Sequence, residues 1–291
     1  MKTETVKKRC DFNAYETAKA AAEIRKLCIR SLASIGSGHI GGSMSVSDIL
    51  AVLYTDIMHI DPKRPDDESR DWLVMSKGHC GPALYAALAY KGYFKKEELL
   101  TLNKGGTKLP SHCDRLKTVG IDISTGSLGQ GLSLAAGVAY GKILRGIGGR
   151  VYAILGDGEL QEGQNWEAFQ FIAHRNVNNL ITIIDNNRRQ LDGYTEDICN
   201  PFGLKNKFEA FGLIAEEVDG HDVTEIYNAL KTAENAQKPV VLVCNTEKGH
   251  GCNFAEIRGF NHYMPVTEEL AESAAAEIDR RLEENYGRSC R

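Results

Sequence analysis

Two short apolar runs constrain the fold of this chain more than any other feature. Residues 151–155 (VYAIL) and 180–184 (LITII) are rich in β-branched side chains. Each ends in a polar turn, Gly156-Asp157-Gly158 after the first and Asp185-Asn186-Asn187 after the second, and a helical stretch lies between. Runs of this kind read as buried parallel strands joined by a crossover helix. The expected architecture is therefore α/β, a parallel sheet with helices on both faces. Asp157 and Asn187 then fall just past the carboxyl ends of two strands, the edge at which open α/β sheets bind ligands.

A carboxylate and a carboxamide oxygen are hard donors, suited to Mg²⁺ or Ca²⁺ rather than to softer metals. Mg²⁺ takes about six oxygens and commonly draws the remainder from water and phosphate. Gly156 and Gly158 flank the aspartate, and a residue without Cβ lets backbone approach a bulky anion. A helix is expected to begin directly after Gly158, turning its free N–H groups and dipole to the same spot. Together these features suit a diphosphate bridged by a divalent metal.

The GDG and the NN are separated by 27 residues, 159–185. That spacing resembles the thiamine diphosphate-binding motif, and the wording LGDGELQEG…DNN…LDG is similar to the transketolase family in particular. The resemblance implies a thiamine diphosphate-binding fold, with thiamine diphosphate and Mg²⁺ as cofactors and Ca²⁺ or Mn²⁺ as substitutes. It assigns Asp157, the Asn187 side chain and the Arg189 carbonyl to the metal. It sets Gly158 and Asn187 against the cofactor.

The 291 residues are 42% hydrophobic, enough to bury a full core. A net charge of −4 without a basic run argues against a nucleic-acid or anionic-membrane surface. The amino terminus has no apolar stretch of signal-peptide type, and nowhere do about eighteen apolar residues run together. The cysteines, at 10, 28, 80, 113, 199, 244, 252 and 290, form no C-x-x-C, so a zinc site is not expected and a reducing cytoplasm is.

Earlier in the chain, residues 17–35 read as a helix with Ile24, Leu27, Cys28, Leu32 and Ile35 on one stripe. It runs into GSGHIGG, a literal G-x-G-x-x-G. A dinucleotide fingerprint must follow a strand, and this one follows a helix, which makes a nicotinamide dehydrogenase a poor reading. The segment instead resembles the transketolase loop whose histidine, here His39, contacts sugar. Ser47 and Asp48 read as caps of a helix running to about residue 58. A short strand at 72–75 leads to Ser-Lys-Gly-His, setting His79 on the same sheet edge as Asp157.

The resemblance extends to His79, in an RDxxVxSxGH pattern, as a contact to cofactor or donor sugar. It makes His112 a third active-site histidine. It reads TGSLGQG as the loop holding the thiazolium and aminopyrimidine through Gly126, Ser127 and Leu128, with Ser127 where relatives carry proline. His262, in GFNHYMP, would meet both the diphosphate and the substrate. His39, His79, His112 and His262 would thus hold hydroxyls and shuttle protons, work suited to imidazole near neutral pH. Glu162 and Glu167, expected on one helix, match a subunit-interface pattern of the family. Lys248 reads equally as a counter-charge to phosphate or as a solvated lysine, and His250 is left unassigned. His221 reads as structural, with Asp222 as the N-cap of a helix from 223.

The whole chain, 1–291, matches only the diphosphate-binding domain of the family. In transketolases the glutamate that activates the pyrimidine ring lies in a second domain. The expectation is an amino-terminal subunit of a split transketolase, moving a two-carbon ketol unit from a ketose phosphate, or similar anionic sugar, to an aldose. A carboxy-terminal subunit would complete the site, in a dimer of heterodimers. The alternatives are a transketolase of modified or sulfonated sugars, part of a deoxyxylulose phosphate synthase-like enzyme, and a non-catalytic cofactor-binding module.

Overall fold

The computed structural model describes residues 12–257 and 260–287. In chain order the elements are α1 (Ala14–Ala33), β1 (Ser37–Gly38), α2 (Ile40–Ser45), α3 (Ser47–Val52), β2 (Trp72–Met75), α4 (Gly81–Lys91), α5 (Gln130–Arg145), β3 (Val151–Gly156) and α6 (Gly163–His174). They continue with β4 (Leu180–Asn186), α7 (Thr195–Cys199), α8 (Leu204–Ala210), β5 (Ile214–Asp219), α9 (Val223–Glu234), β6 (Val240–Asn245), α10 (Asn253–Glu256), β7 (Met264–Pro265) and α11 (Glu268–Tyr286). The amino-terminal segment read as lacking a signal peptide, residues 1–11, lies outside the described residues, as do Cys10, Cys290 and Gly259 of the GFNHYMP stretch. Among the described residues, no helix is long and apolar enough to cross a membrane.

Five strands form one parallel sheet in the order β2-β3-β4-β6-β5. Strand side chains alternate between its two faces. Tyr152, Ile154, Ile181, Ile183 and Leu242 enter one core beneath α1, α3, α4, α9 and α11. Val151, Ala153, Leu155, Ile184 and Val243 enter the other, beneath α5, α6 and α8. Both faces are covered, which is why these strands read as continuous apolar runs. Full burial of each such Val, Ile or Leu contributes about 1.5–3 kcal/mol. The apolar register thereby fixes where the polar strand ends come to lie.

Three local expectations are corrected. Asp48 is not a helix cap: it lies in the first turn of α3, buried, and meets Arg25 and His221 instead. No α-helix starts directly after Gly158. A four-residue 3₁₀ turn, Gly158–Gln161, comes first, and α6 opens at Gly163 with Glu162 as its N-cap. Glu162 and Glu167 therefore do not share a helix in full, and both are exposed. Asp222 does cap α9, accepting from the N–H groups of Thr224 (2.7 Å) and Glu225 (3.2 Å).

Candidate active site

In the β3–β4 register Gly156 stands opposite Asp185, so the two strands run out at one level. The chain leaves them through Asp157 and Asn187, both buried. Arg188 adopts the left-handed region (φ 61°), a conformation a non-glycine residue takes only when its surroundings hold it there. The turn lets the Arg189 N–H reach back to Asn187 Oδ1 at 3.2 Å, while Thr195 Oγ1 donates to Asp157 Oδ2 at 3.3 Å. Burial, with the Asp185 carboxylate second, pushes the Asp157 pKa up to about 6. A carboxylate so placed is short of positive charge.

A cavity of about 240 Å³ opens on this edge, and Gly42, Lys77, His79, Leu128, Gly158 and Lys248 line it beside Asp157, Asn187 and Arg189. The donors on its floor are a carboxylate and a carboxamide oxygen. Gln190 Oε1, also in the wall, is buried without a hydrogen-bond partner. An all-oxygen set of this kind fits a hard divalent cation. A Cβ at Gly158 would lie 2.9 Å from Gln190 Cβ, so any side chain there would crowd the wall. Lys248, buried, donates from Nζ to the carbonyls of Arg189 (3.1 Å) and Gln190 (3.2 Å). Burial pulls its pKa down to about 8, leaving an ammonium that gains from a nearby anion. Hard oxygen donors and a buried lysine ammonium thus share one cavity.

The four histidines converge above it from four separate segments. The ring of His39 is 5.5 Å from that of His79, 5.6 Å from His112 and 5.2 Å from His262, and His79 and His262 are 4.7 Å apart, centroid to centroid. The Tyr263 ring stands 4.9 Å from His39. Burial lowers the pKa of all four. His39 falls to about 4 with His112 and Lys248 contributing, and His262 to about 3 with Lys248 contributing. Four imidazoles this close stay neutral near pH 7, each able to donate at one nitrogen and accept at the other.

The glycine-rich loop reaches the site unevenly. Leu128 lines the cavity, and Gly126 packs against His112, whose Cδ2 would lie 3.4 Å from a Cβ at that position. Ser127 is exposed and does not line the cavity. Glu159 fastens this loop to the sheet, accepting from the N–H groups of Gly129 (2.8 Å) and Gly156 (3.1 Å) and from Ser76 Oγ. The sequence reading missed Glu159, Lys77 and Asp185. All three are buried charged groups, each with a partner far along the chain, and only their position inside SKGH, GDGE and DNN hinted at them.

Two other features do not belong to the site. A larger cavity of about 470 Å³ shares Asp157 but is walled by Trp166, Phe211, Leu160 and Pro201 and contains none of the four histidines. Asp48, His221 and His250 approach to within 4.8 Å of one another. The Arg25 guanidinium already takes both carboxylate oxygens of that aspartate, however, so its charge is neutralised without a metal. His221 is structural as expected, bonded to Asp48 through Nδ1 (2.8 Å) and accepting the Glu247 N–H at Nε2 (2.8 Å). His250 stacks on it at 3.5 Å, outside the site.

Known proteins resemble this chain in sequence and in fold. The chain is 49% identical over 258 residues to the 6-deoxy-6-sulfo-D-fructose transketolase subunit SqwG of a Clostridium species, covering 88% of this chain and 94% of that protein. It is 38% identical to one of the subunits of the apulose-4-phosphate transketolase of Actinobacillus succinogenes, over 87% of this chain and 92% of the relative. Among solved structures, the transketolase of Campylobacter jejuni superposes with a TM-score of 0.85 at 30% identity over 92% of this chain. The chain spans only 43% of that enzyme's length. Residues 16–277 match the family described as transketolase, thiamine diphosphate binding domain. The chain belongs to the transketolase family and carries its thiamine diphosphate binding domain.

Proposed function

We propose that this chain is one subunit of a two-chain transketolase, transferring a two-carbon ketol unit from an anionic ketose to an aldose. The observation that carries the reading is the convergence of His39, His79, His112 and His262 over the cavity that holds Asp157, Asn187 and Lys248. Asp157, Asn187 Oδ1 and the Arg189 carbonyl would hold Mg²⁺, with Lys248 on the diphosphate. When bound, thiamine diphosphate supplies the nucleophilic carbon and the electron sink for cleaving the ketose. This chain's residues do part of the rest, and the second subunit would supply the glutamate that activates the pyrimidine ring. The neutral imidazoles hold the sugar hydroxyls and pass a proton to or from the one that becomes a carbonyl.

Relatives named as subunits support a separate chain for the remaining half, and closed symmetry favours two copies of each. Their names, for a sulfonated and a phosphorylated sugar, support a donor or acceptor with an anionic terminus. The cytoplasm is the compartment proposed. To test the reading, co-express the chain with a candidate second subunit. Then assay ketol transfer from xylulose 5-phosphate and from 6-deoxy-6-sulfofructose to an aldose, with thiamine diphosphate and Mg²⁺. Transfer that disappears with Asp157→Ala is the expected result. Release of CO₂ from pyruvate would favour a deoxyxylulose phosphate synthase-like enzyme instead. Cofactor binding without turnover in any pairing would leave only a binding module.

A further inference from the structure

The run Asp185-Asn186-Asn187 closes β4, and its first member has a task of its own. Asp185 is fully buried at 0% exposure. Its polar side-chain partners are donors. Lys77 Nζ, Ser45 Oγ (2.6 Å) and Asn187 Nδ2 (3.1 Å) reach Oδ2, and Thr246 Oγ1 reaches Oδ1. An ionised carboxylate can only accept. It therefore decides which end of the Asn187 carboxamide faces inward. The NH₂ turns to Asp185, and Oδ1 is left on the side of the Arg189 N–H and the cavity.

That choice matters because the two ends of a carboxamide differ as ligands. Its oxygen binds hard cations and its NH₂ group does not. Lys77 completes the device. Its ammonium, 1% exposed, pairs with Asp185 and also donates to the Gly42 carbonyl at 3.0 Å. The pair carries no net charge, so what Asp185 adds at the site is direction more than attraction for a cation. It also accounts for asparagine at 187. A second carboxylate there would face Asp185 across the distance now spanned by a hydrogen bond, and like charges that close do not both ionise readily.

We propose that Asp185 is a positioning residue that makes position 187 an oxygen donor, with Lys77 as its buried counter-ion. This rests on the metal-binding reading above.

The test removes the director while keeping the buried charge balanced, read by electron paramagnetic resonance titration of the full chain with Mn²⁺ in the presence of thiamine diphosphate. Asp185→Leu/Lys77→Met deletes both members of the ion pair, so no charge is stranded. The Asn187 carboxamide then lacks the acceptor that holds its NH₂ inward, and Mn²⁺ affinity should fall about tenfold or more, the usual size of an outer-shell defect. Adding Asn187→Asp to that background supplies a side chain with oxygen at both ends, and affinity should return to within about threefold of the unmutated chain or exceed it. Where Asp185→Leu/Lys77→Met does not fold, Asp185→Asn takes its place, with the same loss and the same recovery expected. A director-less variant that binds as tightly as the unmutated chain overturns the proposal. So does a loss that Asn187→Asp fails to repair. If the unmutated chain binds no Mn²⁺ at all, the metal reading itself falls and takes this inference with it.

Discussion

The backbone N–H of Gly129 donates to the carboxylate of Glu159 at 2.8 Å. This bond joins the glycine-rich loop ahead of α5 to the turn that follows β3. The same carboxylate accepts from Gly156 and Ser76, so one buried side chain sets the spacing of two strand ends and the glycine-rich loop around the cavity. Gly129 is held at φ 85°, and a Cβ there would lie 2.7 Å from both Glu162 Cβ and Gln164 Nε2. Loop and turn can meet this closely only because position 129 has no side chain.

Removing that carboxylate leaves three buried donors unpaired, at a cost of about 1–3 kcal/mol for each that finds no water. Glu159→Ala is expected to destabilise the chain by roughly 3 kcal/mol and to weaken cofactor binding, because both walls loosen. Urea denaturation measures the first effect and calorimetry with thiamine diphosphate and Mg²⁺ the second. A stability change under about 0.5 kcal/mol, the range of ordinary surface substitutions, would show that the carboxylate does not brace the site.

The histidine cluster predicts a pH dependence of stability. The unfolded chain protonates these imidazoles near their ordinary 6.5, whereas the folded chain holds His39 to about 4 and His262 to about 3. Below pH 6.5 the unfolded state therefore binds more protons, and stability falls as pH drops from about 6.5 toward 4. Above 6.5 the cluster contributes no slope. Melting temperatures should decline across that window, and less steeply for His39→Gln/His262→Gln than for the unmutated chain. Comparing the two isolates the imidazoles from carboxylates titrating in the same range, Asp157 among them. Parallel profiles would mean that the rings are not held neutral.

Away from the site, Arg25 and Asp48 form a buried pair in which Nη1 donates to Oδ1 at 2.9 Å and Nη2 to Oδ2. Breaking such a pair from one side strands the other charge. Asp48→Ala should lose about 3–5 kcal/mol in chemical denaturation, and Arg25→Met/Asp48→Leu should recover much of that loss. A single variant as stable as the unmutated chain would contradict the pairing.

These predictions also mark what the sequence could reveal. The runs at 151–155 and 180–184 were legible because burial on both sheet faces leaves no room for polar alternation, and Asp157 and Asn187 follow from where those runs stop. Asp48 was misread because a local cap rule knows nothing of an arginine on another helix. Lys77, Glu159 and Asp185 look like surface charges until the fold buries them. No spacing rule gathers His39, His79, His112 and His262. Family resemblance named them, and the fold brings the His79, His112 and His262 rings to within 5.6 Å of the His39 ring.

The role proposed for Lys248 separates recognition of the diphosphate from recognition of the rest of the cofactor. Its Nζ already satisfies the carbonyls of Arg189 and Gln190, and it lies 3.4 Å from His262 Nδ1, so its ammonium is fixed at the cavity wall before any anion arrives. A charge-assisted bond to phosphate contributes about 1.5–3 kcal/mol. Lys248→Met should therefore weaken thiamine diphosphate roughly 10- to 100-fold in calorimetry with Mg²⁺, and leave the binding of thiamine, which lacks the diphosphate, unchanged. Lys248→Arg should recover little, because the planar fork needs more room than a buried ammonium and cannot make the same pair of carbonyl bonds. Equal losses for thiamine and thiamine diphosphate would assign Lys248 to holding the 188–190 turn in shape, with no part in gripping phosphate.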